Sequence, residues 1–321
     1  MKKIVTIGGG TGSFMLLSEL KKHDVDITAV VTMFDSGGST GILRDELGVL
    51  PAGDVRQALV ALSDTTEELR DLFLYRFDAG GLSGHNFGNL FLSALEKTTG
   101  SFKKSVKTAS QILNIKGTIA PATFEDTQLL LEKKDGTVLH GEGVIDASVV
   151  QPYKTLLLSK TPQANEEAVN AIREADIVII NPGNFFCSIL PNMLIPGIRN
   201  ALGEAKGKVV YITNLMTKAG HTNNYTADMY VKQINKYCRN QVITDVIINS
   251  NQDVQDPETI ARYKQNGEEF VLDGDIDSMN VTVHREDLLS HELFLQNNND
   301  VVKRSFVRHD PKKLISLILN I

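Results

Sequence analysis

The sequence predicts an α/β fold in three layers, α/β/α, with a mainly parallel sheet covered by helices. Short β-branched runs alternate along the chain with stretches of helical period. Those runs are apolar throughout, as strands buried on both faces are. Glycine-rich and polar segments follow them, where an open parallel sheet takes its ligands.

The first strand, Ile4–Ile7, runs into Gly8, Gly9, Gly10, Thr11 and Gly12, and an amphipathic stretch, Phe14–Leu20, follows at once. Strand, glycine turn and helix bring main-chain N–H groups together on a phosphate. Gly8 and Gly10 fit a dinucleotide fingerprint, but Ser13 stands where its third glycine belongs, and no Gly-Lys-Ser/Thr follows. The second strand, Ile27–Met33, leads into Phe34-Asp35-Ser36-Gly37-Gly38-Ser39-Thr40-Gly41. We read this as an extended polar loop suited to a polyanion or to a phosphate-bound cation held by Asp35. An Asx-turn at Asp35 explains that residue alone equally well.

Helical period recurs over Asp54–Leu62, Glu67–Phe77, Asn86–Lys97 and Ala164–Ala175. Pro51 and Gly53 make a turn before Asp54, read as the cap of the helix that carries Arg56; Arg56 and Arg44 could each reach a phosphate. His85, Asn86 and Asn89 sit at the next helix start between Gly84 and Gly88, where His85 could act as a general acid or phosphate partner. From about 115 to 159 the rhythm changes to alternation with an Asp135-Gly136 hairpin signal, predicting a small β-hairpin excursion. Strands return at Ile177–Asn181, Val209–Asn214 and Val242–Asn249. Pro182-Gly183-Asn184 and Asn214-Leu215-Met216-Thr217 place polar groups at two of their ends. Gly267–Asp277 reads as an acidic surface loop or edge, and Asp310-Pro311 as the cap of the last helix.

With 321 residues and a formal charge of -6, the chain has room for a large core and no cationic face for nucleic acid. It has no stretch that reads as a membrane span or signal peptide, and two cysteines, Cys187 and Cys238, are too few for a disulfide framework or zinc cage. A cytoplasmic protein forming one domain over residues 1–321 is the expectation. Neither a Ser-His-Asp order nor a metal-binding His or Cys motif is present, so the chemistry belongs to phosphates.

Together these residues closely resemble the CofD-like family, and within it the YvcK-type gluconeogenesis factors. The resemblance rests on Gly-Gly-Gly-Thr-Gly, the Asp35 loop, the Leu-Gly-Val-Leu-Pro-Ala-Gly-Asp-Val-Arg run ending at Arg56, and Gly-His-Asn-Phe-Gly-Asn ending at Asn89. Pro-Gly-Asn-x-x-x-Ser from Pro182, Asn-Leu-Met-Thr from Asn214 and Val307-Arg308-His309-Asp310 complete it. The resemblance implies a Rossmann-like fold binding a UDP-sugar, notably UDP-N-acetylglucosamine, and a role in cell shape and cell-wall synthesis on gluconeogenic carbon sources. Residues 8–12 and Gly183 would hold the diphosphate, Asp35 and Asn214 would contact ribose or base, and Arg308 with His309 would complete the sugar-nucleotide site. A regulator of this kind needs a protein partner in cell-wall control, and a homodimer is compatible with it.

The alternative implied by the same family is a transferase. It would move a phospholactate or phosphoenolpyruvate unit from a guanosine diphosphate donor to a deazaflavin alcohol, releasing GMP, with Asp35 and His85 as catalytic candidates and Mg²⁺ held at Asp35. Two departures favour binding over transfer. Ser36 replaces the family's usual second acid, which weakens divalent-ion binding, and Asn181-Pro182-Gly183-Asn184 replaces Gly-Pro-Gly-Ser.

Overall fold

The continuous apolar runs form the central strands of one sheet, which is buried on both faces there. The computed structural model describes residues 1–254, 256–290 and 306–321. Its elements begin with β1 (Lys2–Gly8), α1 (Gly10–Leu20), β2 (Val25–Val31), α2 (Gly38–Leu47) and α3 (Gly53–Leu62). Next come α4 (Glu67–Leu74), α5 (Phe87–Thr99), α6 (Phe102–Ile112), β3 (Thr118–Pro121), β4 (Leu129–Lys133) and β5 (Val138–His140). The chain continues through α7 (Glu142–Ala147), β6 (Tyr153–Leu158), α8 (Glu166–Glu174) and β7 (Ile177–Ile180). A π-helical turn, Phe185–Ile189, leads to α9 (Leu190–Met193), α10 (Pro196–Gly203), β8 (Lys208–Ile212) and α11 (Ala227–Cys238). Last are β9 (Asp245–Asn249), α12 (Pro257–Gln265), β10 (Thr282–Glu286) and α13 (Pro311–Asn320).

The main sheet has the order β10-β9-β8-β7-β1-β2-β3, and every neighbouring pair is parallel. β1 lies next to the central strand β7, in register with β2 on one side (Ile4 opposite Ile27) and β7 on the other (Ile4 opposite Ile177). The chain first builds outward through β2 and β3, then returns to build the other half from β7. The strand order therefore reverses between β1 and β7, which opens a crevice at their carboxyl ends.

Alternate residues of each strand feed two cores. Val5, Ile7, Val178, Ile180 and Tyr211 face one, packed on α8, α10 and α11. Ile4, Ile177, Ile179, Val210 and Ile212 face the other, packed on α1, α3, α5, α6 and α13. Helix α13 starts as its sequence predicts, with the Asp310 carboxylate accepting from Lys312 and Lys313 N–H at 2.9 and 3.1 Å.

Two expectations are corrected and a third is borne out. The alternating region is not a separate excursion from residue 115, because its first strand, β3, joins the main sheet beside β2. Gly117, at φ +103 and with a would-be Cβ 2.6 Å from the Ile27 carbonyl, lets that strand approach. The remainder is three-stranded (β5-β4-β6, antiparallel) and carries α7. The polar stretch after β2 is a loop only to Gly37; from Gly38 it is α2, so Ser39 and Thr40 lie in a helical first turn. The acidic stretch 267–277 is the surface loop the sequence predicts, held beside the edge strand β10 by Arg285, which donates to Asp273 at 2.6 Å and Asp277 at 2.7 Å. Ile276 within it is fully buried.

The small sheet packs Leu129, Leu131 and Leu156 into the same core as β1 and β7, and this fixes where α7 sits. Leu131→Ala should cost about 2–5 kcal/mol in chemical denaturation. A loss below about 1 kcal/mol would mean that the inserted layer is not docked in this core.

Candidate functional site

At the reversal point two main chains meet at contact distance. The β1 turn passes through Gly8 and Gly10 at φ +149 and +68, and α1 opens on Gly9 with no side-chain cap. A Cβ on Gly12 would lie 2.1 Å from the Pro182 carbonyl oxygen after β7, so only glycine fits. Asn181 then bolts the turns together: its Nδ2 donates to Ser13 Oγ at 2.7 Å, and Ser13 donates to the Gly9 carbonyl at 3.1 Å. Ser13 thus fastens the phosphate turn itself. Asn214, beyond β8, accepts from Gly183 N–H at 3.1 Å and donates to the Gly183 carbonyl at 2.8 Å. Residues 8–12, Gly183 and Asn214 line one crevice. Asn214 shapes the Gly183 turn, and both ends of its amide are engaged there.

Carboxylates crowd the other wall. Asp35 Oδ1 accepts from Gly37 N–H at 3.0 Å, the Asx-turn its sequence allows. A Cβ on Gly53 would lie 2.0 Å from Asp35 Oδ2, and one on Gly9 would lie 2.1 Å from Asp54 Oδ2. Asp54 does not cap α3, whose N-cap is Ala52; its carboxylate crosses to accept from Gly10 N–H at 2.9 Å. Burial raises the Asp35 carboxyl above its ordinary value, against the Gly37 N–H and Thr40 hydroxyl. Asp54 is pushed up to about 7, by burial first and the Asp35 charge second.

A third acid comes from α7 and carries no sequence motif. Glu142 is pushed up to about 8 by burial, then by the charges of Asp35, Asp146 and Asp54. Ser36 holds it there: Ser36 Oγ accepts from Gly143 N–H at 2.9 Å, and Ser36 N–H donates to Glu142 Oε2 at 3.4 Å. Only the flanking Gly141 and Gly143 mark Glu142 in the sequence.

A buried polar chain supports the acids from below. Arg56 Nε donates to Asn89 Oδ1 at 3.0 Å, and Asn89 Nδ2 donates to Thr40 Oγ1 at 3.2 Å. Arg56 is 8% exposed and lies against Gly88, where a Cβ would be 2.7 Å from its Cδ. Its guanidinium supports this wall from within. Asn86 caps α5, and its N–H donates to Ser39 Oγ, which lies 3.2 Å from His85 Nδ1. Arg44 donates to Asp45 at 2.7 Å, and its charge also reaches Asp35. Thr11 stands half-buried in the first turn of α1, and the exposed Gly38 opens α2.

The remaining expected residues divide. Asn184 follows Gly183 into the crevice rim and donates to Asp146. Met216 is drawn away into a satellite cluster with Leu215, Tyr263, Leu289 and Val307, and bridges to Phe270. His309 is buried, with burial pushing it down to about 4 against a contact with the Thr213 main chain, so it is neutral at pH 7. That contact brings the C-terminal segment, with the half-buried Arg308, to the end of β8. Cys187 is no nucleophile, since burial and the Glu142 charge hold its thiol well above the usual range.

Known proteins share the family and the overall fold of this chain. The family model described as 2-phospho-L-lactate transferase CofD matches residues 4–289. The gluconeogenesis factor of Bacillus subtilis (strain 168) is 39% identical over 323 residues, spanning 99% of this chain and 98% of that protein. The gluconeogenesis factor of Listeria monocytogenes is 33% identical over 99% of this chain and 94% of its own length. A crystal structure of a UPF0052 family member from Bacillus halodurans superposes with a TM-score of 0.89 at 35% identity, covering 99% of this chain and all of the other.

Two outcomes follow from the crowding. Gly12→Ala forces two main chains apart and should cost about 1–3 kcal/mol, read as a lowered denaturation midpoint. Asp54 and Glu142 bind protons more tightly folded than unfolded, so their contribution is fullest below about pH 4 and is lost as pH rises through about 7 to 8. Glu142→Gln should flatten the fall in melting temperature between pH 5 and pH 8. An unchanged slope would show that the carboxyl does not titrate in this window.

Proposed function

We propose that this chain, which belongs to the CofD family and has close relatives named gluconeogenesis factor, binds a nucleoside diphosphate sugar of the UDP-N-acetylglucosamine type as a regulator. The observation that carries the reading is the crevice itself. Glycine turns and the first turn of α1, whose N-cap Gly9 supplies no side-chain cap, come together at the strand reversal. Such a wall binds a diphosphate through main-chain donors and the positive end of the helix. The uridine and the sugar are what the family resemblance implies. A role in cell shape and cell-wall synthesis, through a protein partner, belongs to the same proposal.

The donor set fits a divalent cation. Asp35 and Asp54 offer hard oxygens that repel one another, and Mg²⁺ is commonly held by one or two carboxylates together with substrate phosphates. When bound, such an ion would neutralise charge between these acids and the diphosphate. The chain's own part is positional: Thr40 and Gly37 orient Asp35, and the Gly10 N–H orients Asp54. A regulator needs only differential affinity between two states, and the inserted layer, tied to the Asp35 loop through Ser36, is placed to report occupancy.

The same acid pair favours one second reading, the CofD-type transfer with GMP release. Thermal-shift titration with UDP-N-acetylglucosamine and Mg²⁺ separates the two. At about 100 times its dissociation constant the ligand should add roughly 2.7 kcal/mol. No shift with any UDP-sugar would sink the regulator, and GMP release from a guanylated donor would establish the transferase instead.

A further inference from the structure

Helix α4 docks on α3 and α5 by one narrow stripe, the buried Phe73 and the half-buried Leu69. Its outer face opens on three exposed acids, Glu67, Glu68 and Asp71. It ends on Leu72, Leu74 and the flanking Tyr75, which are 42, 39 and 47% exposed. The hairpin after it extends this apolar end. Phe77 N–H donates to the His85 carbonyl and Phe87 N–H to the Tyr75 carbonyl, both at 2.9 Å. The Phe77 ring meets the Tyr75 ring edge-on at 5.0 Å, and Leu82 at the hairpin tip is again exposed. Underneath, Phe73 meets the rings of Phe87 and Phe91 at 5.9 and 5.1 Å, so the apolar end has a packed base.

Single exposed apolar side chains need no explanation, whereas a set gathered at one helix end and its hairpin marks a contact surface. Tyrosine is among the residues that carry most of the energy of such contacts. Charge decides what covers this one. Glu67, Glu68, Asp71 and Asp78 of the hairpin are exposed beside the apolar end, whereas Arg70 and Arg76 are half-buried. Arg76 is turned onto its own hairpin, donating to the Gly84 carbonyl at 2.6 Å. A second copy of the chain would set acid against acid across a two-fold axis. An anionic membrane or a nucleic acid is repelled by the same charges. A cationic partner is drawn in by them.

We propose that the outer face of α4 and the Leu82 hairpin form a docking surface for a cationic amphipathic helix of a partner protein. The aliphatic stripe of that helix covers Leu72, Leu74 and Tyr75, and its lysines or arginines pair with Glu67, Glu68 and Asp71. The hairpin also links this surface to the crevice. Asn86 N–H donates to Ser39 Oγ at 3.3 Å, and His85 Nδ1 lies 3.2 Å from that oxygen, in the turn of α2 that follows the Asp35 loop. The surface goes beyond the nucleotide reading, since docking needs no ligand in the crevice, and it supplies the protein contact that a regulator uses.

The test is fluorescence anisotropy of two labelled synthetic helices titrated with the full chain. One carries leucines on one face and lysines on the other, and its twin has glutamates in place of the lysines. The lysine helix should bind about tenfold or more tightly than the twin. Tyr75→Ser and Asp71→Lys, each at an exposed position, should weaken it about tenfold. Asp126→Lys, at an exposed acid outside this face, should leave it unchanged. Equal binding of the two helices, parent affinity in either Tyr75→Ser or Asp71→Lys, or an equal loss in Asp126→Lys would overturn the surface. Asp71→Lys keeps the test decisive even if Tyr75→Ser disturbs the hairpin. Sedimentation equilibrium covers the other occupant: a dimer of the chain alone that Tyr75→Ser dissociates would assign the face to a second copy and overturn the partner. Unchanged UDP affinity in Asp71→Lys, with helix binding lost, sets docking apart from the crevice. Failure of UDP to bind the parent chain would overturn the nucleotide reading alone.

Discussion

The contact of two main chains where the strand order reverses governs this structure. Gly12 and the Pro182 carbonyl touch with no room for a methyl group, and Gly9 and Gly53 give the same clearance to Asp54 and Asp35. Gly9 and Gly53 let two acids reach the amide ends of α1 and α2. A side chain at either would push an acid back toward solvent, and one at Gly12 would force the two main chains apart.

Close approach has an electrostatic consequence. Asp35, Asp54 and Glu142 are held together in a half-buried wall, so each disfavours ionisation of its neighbours. The fold tolerates this because backbone N–H groups, the Thr40 hydroxyl and the buried Arg56–Asn89–Thr40 chain fix the carboxyls in place. Strain of this kind persists where the surrounding packing over-determines it, and here the packing is a sheet with two complete cores. On the proposed reading, a bound cation and diphosphate would relieve the repulsion and so couple occupancy of the crevice to stability.

The inserted layer adds a third acid to this wall. The sheet reversal alone presents main-chain donors. Helix α7 adds acceptors beside them, and Ser36 is the clasp: its hydroxyl receives Gly143 N–H while its own N–H meets Glu142. The short Ser36 side chain leaves space for that clasp, so the acid on this side comes from a different layer of the molecule.

The sequence by itself determined the parallel sheet, the glycine turn opening α1, the Asx-turn at Asp35 and the cap at Asp310, because periodicity and turn chemistry act over a few residues. It also carried the family motifs around Asp35, His85, Gly183 and Asn214. It left β3 hidden in an alternating stretch and read α2 as loop. Tertiary packing alone decided that Asp54 serves Gly10 across 44 residues and that Ser36 meets Gly143 across 107. A carboxylate's partner at such a separation depends on how layers stack, and no local pattern of residues encodes that distance.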